Sequence, residues 1–352
     1  MGTSILWAVI VGAFLKFVVT EGIARWQLVT EMTILEGLSI HLGRGAIWLF
    51  LPYLLLFSFF VGTAMMSACG VTLHAIFPVF NDPVDGKIFF GISSSLIGLV
   101  LVYKGGYSLF EKIMRVCVGI MFFSVIVTAA LLWPGTELVL NGILIPSISD
   151  FHGEGLIWTI ALIGGVGGTV TILSYGYWIR EEGRLNSDDL HVCRIDLANG
   201  YIMTALFGLS VVIIGSHLTI EGGGATLLVN LSNQLGNELG PTGKWLFLIG
   251  AVGAVFSSLL GVWQSIPYIF SDAWLLSRQP REQLDKQQQP TMINTAAPSY
   301  RIFLILLATV PMVGLFTSFR EVQKLYTVTG AFFIPFLAVG LLLLNSHSKW
   351  IG

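Results

Sequence analysis

The chain has 352 residues, of which 55% are hydrophobic and only 11% charged, with a formal net charge of -2. Soluble domains carry roughly 45–50% apolar and about 25% charged residues, so an ordinary soluble protein is excluded. So is a nucleic-acid binder, because the basic residues sit in short clusters between apolar runs. Composition predicts an all-α integral membrane protein, a single transmembrane domain over residues 1–352, whose partner is the lipid bilayer.

A crossing helix needs about 20 apolar residues, fewer when flanking groups snorkel. Nine runs qualify in chain order: Ile5–Val19, Ala46–Ala68, Ile88–Tyr103, Ile113–Leu132, Leu156–Ile179, Leu197–Ile214, Trp245–Phe270, Ile302–Phe316 and Leu325–Leu344. No basic segment precedes the first and no small-residue cleavage site follows it, so it reads as a retained span rather than a signal peptide. Arg25, Arg44, Lys104, Lys112, Arg115, Arg180, Arg184, Arg194, Arg278, Arg281, Lys286, Arg301 and Lys349 all fall on one side of this arrangement. Only Lys87, Lys244, Arg320 and Lys324 fall on the other. Cytoplasmic loops collect Lys and Arg, so the pattern predicts a multi-pass protein of the cell (inner) membrane with Met1 outside and Gly352 inside. The polar stretch from Ser277 to Ser299, with its Gln287–Gln289 run, reads as a cytoplasmic linker.

Chemistry inside the bilayer has few places to sit. Gly164-Gly165-Val166-Gly167-Gly168-Thr169-Val170-Thr171 puts four glycines in the middle of the fifth span. Glycine costs about 1 kcal/mol relative to alanine in a helix, so the run favours local unwinding. Backbone unwound at membrane depth must line a cavity or be buried in protein. The alternative is close helix packing, for which Gly164 and Gly168 have the small-xxx-small spacing.

Intramembrane ionisable groups are functional candidates. Lys16, Glu21 and Arg25 share the first span, where Glu21 and Arg25 can also simply pair at i, i+4. Asp196 and Asn199 open the sixth span on one face, and Asp196 also suits a helix start. Glu21, Asp196 and Asn199 are therefore candidates for coupling or gating. Asp150, His152 and Glu154 alternate in a way that does not converge side chains and reads as a solvated loop. Cys69, Cys117 and Cys193 lie far apart with no metal-site spacing, and no catalytic constellation is present, so no enzyme activity is expected.

Broken helices in inverted-repeat transporters occur five helices apart. The glycine-rich span is the fifth, so its counterpart is expected before residue 1, as though the chain began one helix late.

Glu21-Gly-Ile-Ala-Arg-Trp-Gln-Leu28, Gly105-Gly-Tyr-Ser-Leu-Phe-Glu-Lys-Ile-Met-Arg115, the glycine run and Ser174-Tyr-Gly-Tyr-Trp-Ile-Arg-Glu-Glu182 resemble a bacterial branch of the natural resistance-associated macrophage protein (Nramp)-related family of divalent metal transporters. The resemblance extends over almost the whole chain and implies a leucine-transporter-like inverted-repeat helical bundle. It makes the spans similar to helices two to ten of eleven, without the family's opening Asp-Pro-Gly-Asn helix or its last helix. Carried over through Gly167-Gly168-Thr169-Val170, the family's metal-binding methionine and histidine fall on Thr171 and Leu173, and its acidic pair on Gly62 and Met65.

The resemblance thus implies transport of divalent ions of the manganese, magnesium or iron class by a secondary transporter or facilitator. Gly167, Gly168, Thr171 and Ser174 are the expected substrate-binding residues, with Thr171 as the metal ligand. A threonine oxygen favours a hard cation. No cofactor is implied beyond the transported ion. An amino-acid-type symporter of the same fold, or a truncated copy that does not transport, are the alternatives.

Overall fold

The structure, a computed structural model, describes residues 2–148, 153–217, 226–278 and 294–346. Asp150, His152 and most of the expected linker, residues 279–293, lie outside the described residues. Among the described residues the chain is helical without strands, and nine helical stretches are long and apolar enough to cross a membrane.

Helix α1 (Leu6–Thr30) ends at Glu31, which takes a left-handed φ of 57°. The short α2 (Ile34–His41) follows behind a capping box. Its Thr33 Oγ1 accepts from the Glu36 N–H at 3.1 Å, and the Thr33 N–H donates to Glu36 Oε2 at 2.6 Å. Two orphan donors are satisfied at once. Helix α3 (Arg44–Ile76) leads to α4 (Pro83–Leu131), which opens with Asp82 as N-cap and Pro83 in the first turn. Then come α5 (Thr136–Leu144), α6 (Glu154–Gly165), α7 (Ser174–Glu181), α8 (Leu190–His217), α9 (Leu227–Arg278), α10 (Pro298–Thr309) and α11 (Phe319–Asn345).

Three departures from the sequence reading concern boundaries. A connection is expected between Tyr103 and Ile113, but the backbone stays helical there, so α4 runs for 49 residues and holds two candidate spans, Pro83–Gly105 and Tyr107–Leu131. Helix α9 is likewise longer than Trp245–Phe270: it contains Gly240, at φ 73° and ψ -175°, followed by Pro241, and it runs on through Ser277 to Arg278. The eighth span changes character midway. Pro311, which has no N–H to give, sits in a tighter 3₁₀ segment, Val310–Phe316.

The main core lies where α3, α4, α9 and α10 meet, around Leu54, Phe57, Met66, Trp263, Ile266 and Leu304. Large apolar side chains such as Leu49, Phe123, Phe332 and Phe336 face outward, as lipid contact allows. Since lipid is as apolar as leucine, close backbone approach has to hold such helices together. A Cβ on Gly250 would come 2.7 Å from Ser124 Cβ, and one on Gly253 would come 2.9 Å from the Cys117 carbonyl, so α9 lies directly on α4.

Candidate cation site at the broken helix

The fifth span is interrupted where its glycines fall. Helix α6 stops at Gly165, and Val166 makes its last α-type bond, to Leu162 O at 2.9 Å. Gly167 and Gly168 then take φ of 77° and 94°, a conformation that costs L-residues with a Cβ roughly 1–2 kcal/mol each. A 3₁₀ turn, Val170–Leu173, restarts the chain into α7. The last carbonyls of a helix have no partner within it, and here they lie at membrane depth.

Lys16 supplies the partner. Its side chain is 1% exposed, and its ammonium donates to Gly164 O at 2.7 Å, to Val166 O at 3.3 Å and, most closely, to Gly168 O. An ammonium has three N–H donors, so donors and carbonyls match one for one. Gly12, Lys16 and Thr20 share one face of α1 at four-residue spacing. Gly12 lets α1 approach, because a Cβ there would lie 3.0 Å from Ile163 O. Thr20 Oγ1 donates to Lys16 O at 2.8 Å and shares a 2.7 Å hydrogen bond with Tyr201 Oη. Tyr201 in turn covers Gly167, whose Cβ would lie 2.7 Å from the ring.

Gly167 and Gly168 form the break, and a Cβ at Gly168 would lie 3.1 Å from Thr171 Oγ1, so the threonine hydroxyl overlooks the joint. Ser174 is fully buried and its Oγ has no partner. Both packing and unwinding operate here, since Gly164 abuts Ala331 and Gly330 abuts Thr169, joining α6 and the break itself to α11. Among the described residues no group of three or more His, Cys, Asp or Glu could hold a metal. Apart from the Lys16 ammonium, the polar atoms at the break are neutral oxygens, which suit hard cations.

The other candidates do not touch the break. Glu21 is clasped by Arg25 at 2.6 Å and Arg194 at 2.7 Å, linking α1 to α8. Asp196 accepts from Tyr175 Oη at 3.1 Å and pairs with Arg184 at 3.4 Å. It lies well inside α8 rather than at its start, because α8 begins at Leu190. Asn199 is exposed on the same helix. Leu173 is buried in the main core, and Gly62 packs so tightly on Pro311 that a Cβ would lie 2.7 Å from its Cγ.

Sequence reasoning missed Asp272, which lies beyond the apolar run that defines its span. Asp272 Oδ2 accepts from Tyr177 Oη at 2.6 Å and Thr33 Oγ1 at 2.9 Å. Next to it Arg180 donates to Glu31 O at 2.6 Å and lies 3.6 Å from Glu36. A separate small cavity is lined by Tyr103, Tyr107, Gln264, Tyr268, Tyr300 and Arg301, away from the break.

Similar folds occur among solved structures. A histidine-to-alanine mutant of an Eremococcus coleocola manganese transporter superposes with a TM-score of 0.72 at 15% identity, covering 99% of this chain and 76% of that one. A glutamate-to-glutamine mutant of the same transporter gives 0.70 at 14% identity, with the same coverage. Its complex with an aromatic bis-isothiourea substituted compound gives 0.70 at 15%. No curated protein sequence matches the chain. At these identities the likeness fixes the fold, a leucine-transporter-like helical bundle. The sequence itself matches the family model described as natural resistance-associated macrophage protein-like over residues 1–352, and the chain belongs to that family, Nramp.

Proposed function

We propose that this protein carries hard divalent metal ions, of the magnesium and manganese kind, across the cell membrane, as a secondary transporter or facilitator whose substrate site is the break between α6 and α7. The observation that carries the reading is the convergence of three backbone carbonyls, from Gly164, Val166 and Gly168, on a single cationic group. The half-helix C-terminus turns its negative dipole end to the same point. Thr171 Oγ1 and Ser174 Oγ, on the far side of the break, add oxygen ligands or hold waters of a partly hydrated ion. The fold supports the reading, because carriers of this architecture put their ions where unwound carbonyls meet at the membrane midplane. The manganese transporters it resembles support the choice of a divalent substrate.

We further infer that the surface holding Arg180, Arg184 and Arg194 is cytoplasmic. The experiment is uptake into proteoliposomes containing the purified chain. Manganese and magnesium influx above that of protein-free vesicles is expected, and alanine or leucine influx is not. Amino-acid uptake without divalent flux would overturn the assignment.

A further inference from the structure

The ligands at the break are already in use. Each of the three carbonyls that face it accepts from the Lys16 ammonium, and all three ammonium protons are spent on them. A side chain ionisable at this depth is expensive in a membrane protein, and the sequence offers no local reason for it. Its neighbours along α1 are apolar apart from Thr20, whose hydroxyl is engaged by the Lys16 carbonyl and Tyr201, and Glu21, five residues on, is occupied by two arginines. Lys16 is thus placed as an ion is placed, by oxygen ligands from another element, with the difference that it is tethered to the chain.

We propose that Lys16 is an intramolecular competitor of the transported cation: its ammonium fills the Gly164–Val166–Gly168 cradle when the carrier is empty and leaves when a divalent ion binds. This rests on the divalent-ion reading above. Simultaneous occupation is opposed twice over. The ammonium stands at the point on which the three carbonyls converge, and a doubly charged ion beside an ammonium in a dry site meets strong repulsion. A tethered cation also solves a problem of the return step. An empty carrier would otherwise have to reorient with three unpaired carbonyls and the dipole end of α6 facing one another in a desolvated site. With the lysine in place they stay paired.

The purely structural reading is that Lys16 is a C-terminal helix cap. The two readings differ in what happens to cation affinity when the charge is removed. A site filled by its own lysine about nine-tenths of the time binds its ligand ~10-fold more weakly than the bare site. Lys16→Gln keeps an amide that can donate to two carbonyls while removing the charge, and Lys16→Met removes both. Manganese binding to the parent, Lys16→Gln and Lys16→Met, purified in detergent, is measured by electron paramagnetic resonance of the free ion, with sodium as a competing cation. The expected result is a Kd for manganese at least about tenfold lower in Lys16→Gln than in the parent.

An unchanged or weaker Kd in a monodisperse Lys16→Gln protein with parental helical circular dichroism overturns the proposal, whatever Lys16→Met does. If Lys16→Met fails to fold in choline buffer but is recovered by manganese, the cradle has accepted the ion in place of the lysine, which supports it. Recovery by sodium alone overturns competition with a divalent ion. Manganese flux by the parent combined with an unchanged Kd in Lys16→Gln removes this inference and leaves the transport reading intact. Absence of both flux and binding in every protein removes the transport reading itself.

Discussion

Tyr177 on α7 donates a 2.6 Å hydrogen bond to Asp272 on α9, and Thr33, the N-cap of α2, donates to the same carboxylate oxygen. Three helices distant in sequence are thereby joined by one buried acceptor. Losing a hydrogen bond to a charged or buried acceptor costs about 1–3 kcal/mol, so Tyr177→Phe should lower the thermal midpoint in detergent. Asp272→Asn, which keeps one oxygen for both donors, should cost less than Asp272→Leu. Equal midpoints for all three would show that the contact does not brace these helices.

Gly62 stands where the resemblance puts one of the family's acidic pair, and the structure gives it a packing role. A Cβ there would lie 2.7 Å from Pro311 Cγ, so α3 and the 3₁₀ segment touch backbone to ring. Overpacking costs typically about 1–3 kcal/mol. Gly62→Ala should destabilise by that order and Gly62→Glu by more, so an acidic side chain cannot simply be restored there. Gly119 is the control, because nothing lies within 4 Å of its Cβ position in the middle of α4. Gly119→Ala should stabilise by up to about 1 kcal/mol, as read from melting in the same detergent.

Gly167 and Gly168 hold the positive φ of the joint. Gly167→Ala adds a contact with Tyr201 to the left-handed strain of roughly 1–2 kcal/mol, whereas Gly165→Ala meets only Thr327 Cγ2 at 3.9 Å. The first substitution should reduce manganese influx severalfold, and the second should leave it close to the parent. Equal influx in both would detach the joint from transport.

Thr171→Met should move ion preference towards cadmium, iron and manganese at the expense of magnesium. A thioether suits softer ions, and a single exchanged ligand is worth about 1–3 kcal/mol, or 10–200-fold, with the lower end expected for a partly hydrated ion. Competition of cadmium against magnesium uptake measures it. An unchanged ratio would take the Thr171 hydroxyl out of the ion's coordination.

Membrane orientation is open to labelling at two exposed positions, Asn81 before α4 and Asp188 before α8. In intact cells an impermeant maleimide should label Asn81→Cys and not Asp188→Cys. The native cysteines are buried or half-buried, which keeps the background low. The reverse pattern would invert the assignment.

The helical membrane architecture is legible because bilayer thickness converts directly into run length, and the break is legible because four glycines in an apolar span have few other uses. What the sequence hides is which polar residue meets the break. Lys16 stands out as an intramembrane charge, but its partners lie about 150 positions away and are backbone carbonyls, which every residue possesses and no pattern marks. Asp272 is hidden differently. It lies just past an apolar run, where an acid looks like the beginning of a loop, and only the continuation of α9 through it places it inside. The helical stretch from Lys104 to Arg115 misleads for the opposite reason, since its charges and the Gly105–Gly106 pair suggest a loop while the backbone stays helical through them.

The two halves of the interrupted span share α1 and differ in their other fastenings. Helix α6 is keyed to α11 through Gly164 and Ala331, while α7 is pinned to α1 through Gln27, which donates to Gly176 O, and to α9 through Asp272. The glycine joint therefore lies between a half that also answers to α11 and a half that also answers to α9. A tilt of α11 reaches α6 through Gly164 and the joint itself through Thr169, while α1 grips both halves, through Gly12 and Lys16 on one side and Gln27 on the other. On the transport reading proposed above, the element that offers oxygens to the ion is then also the one on which α1 and α11 both act.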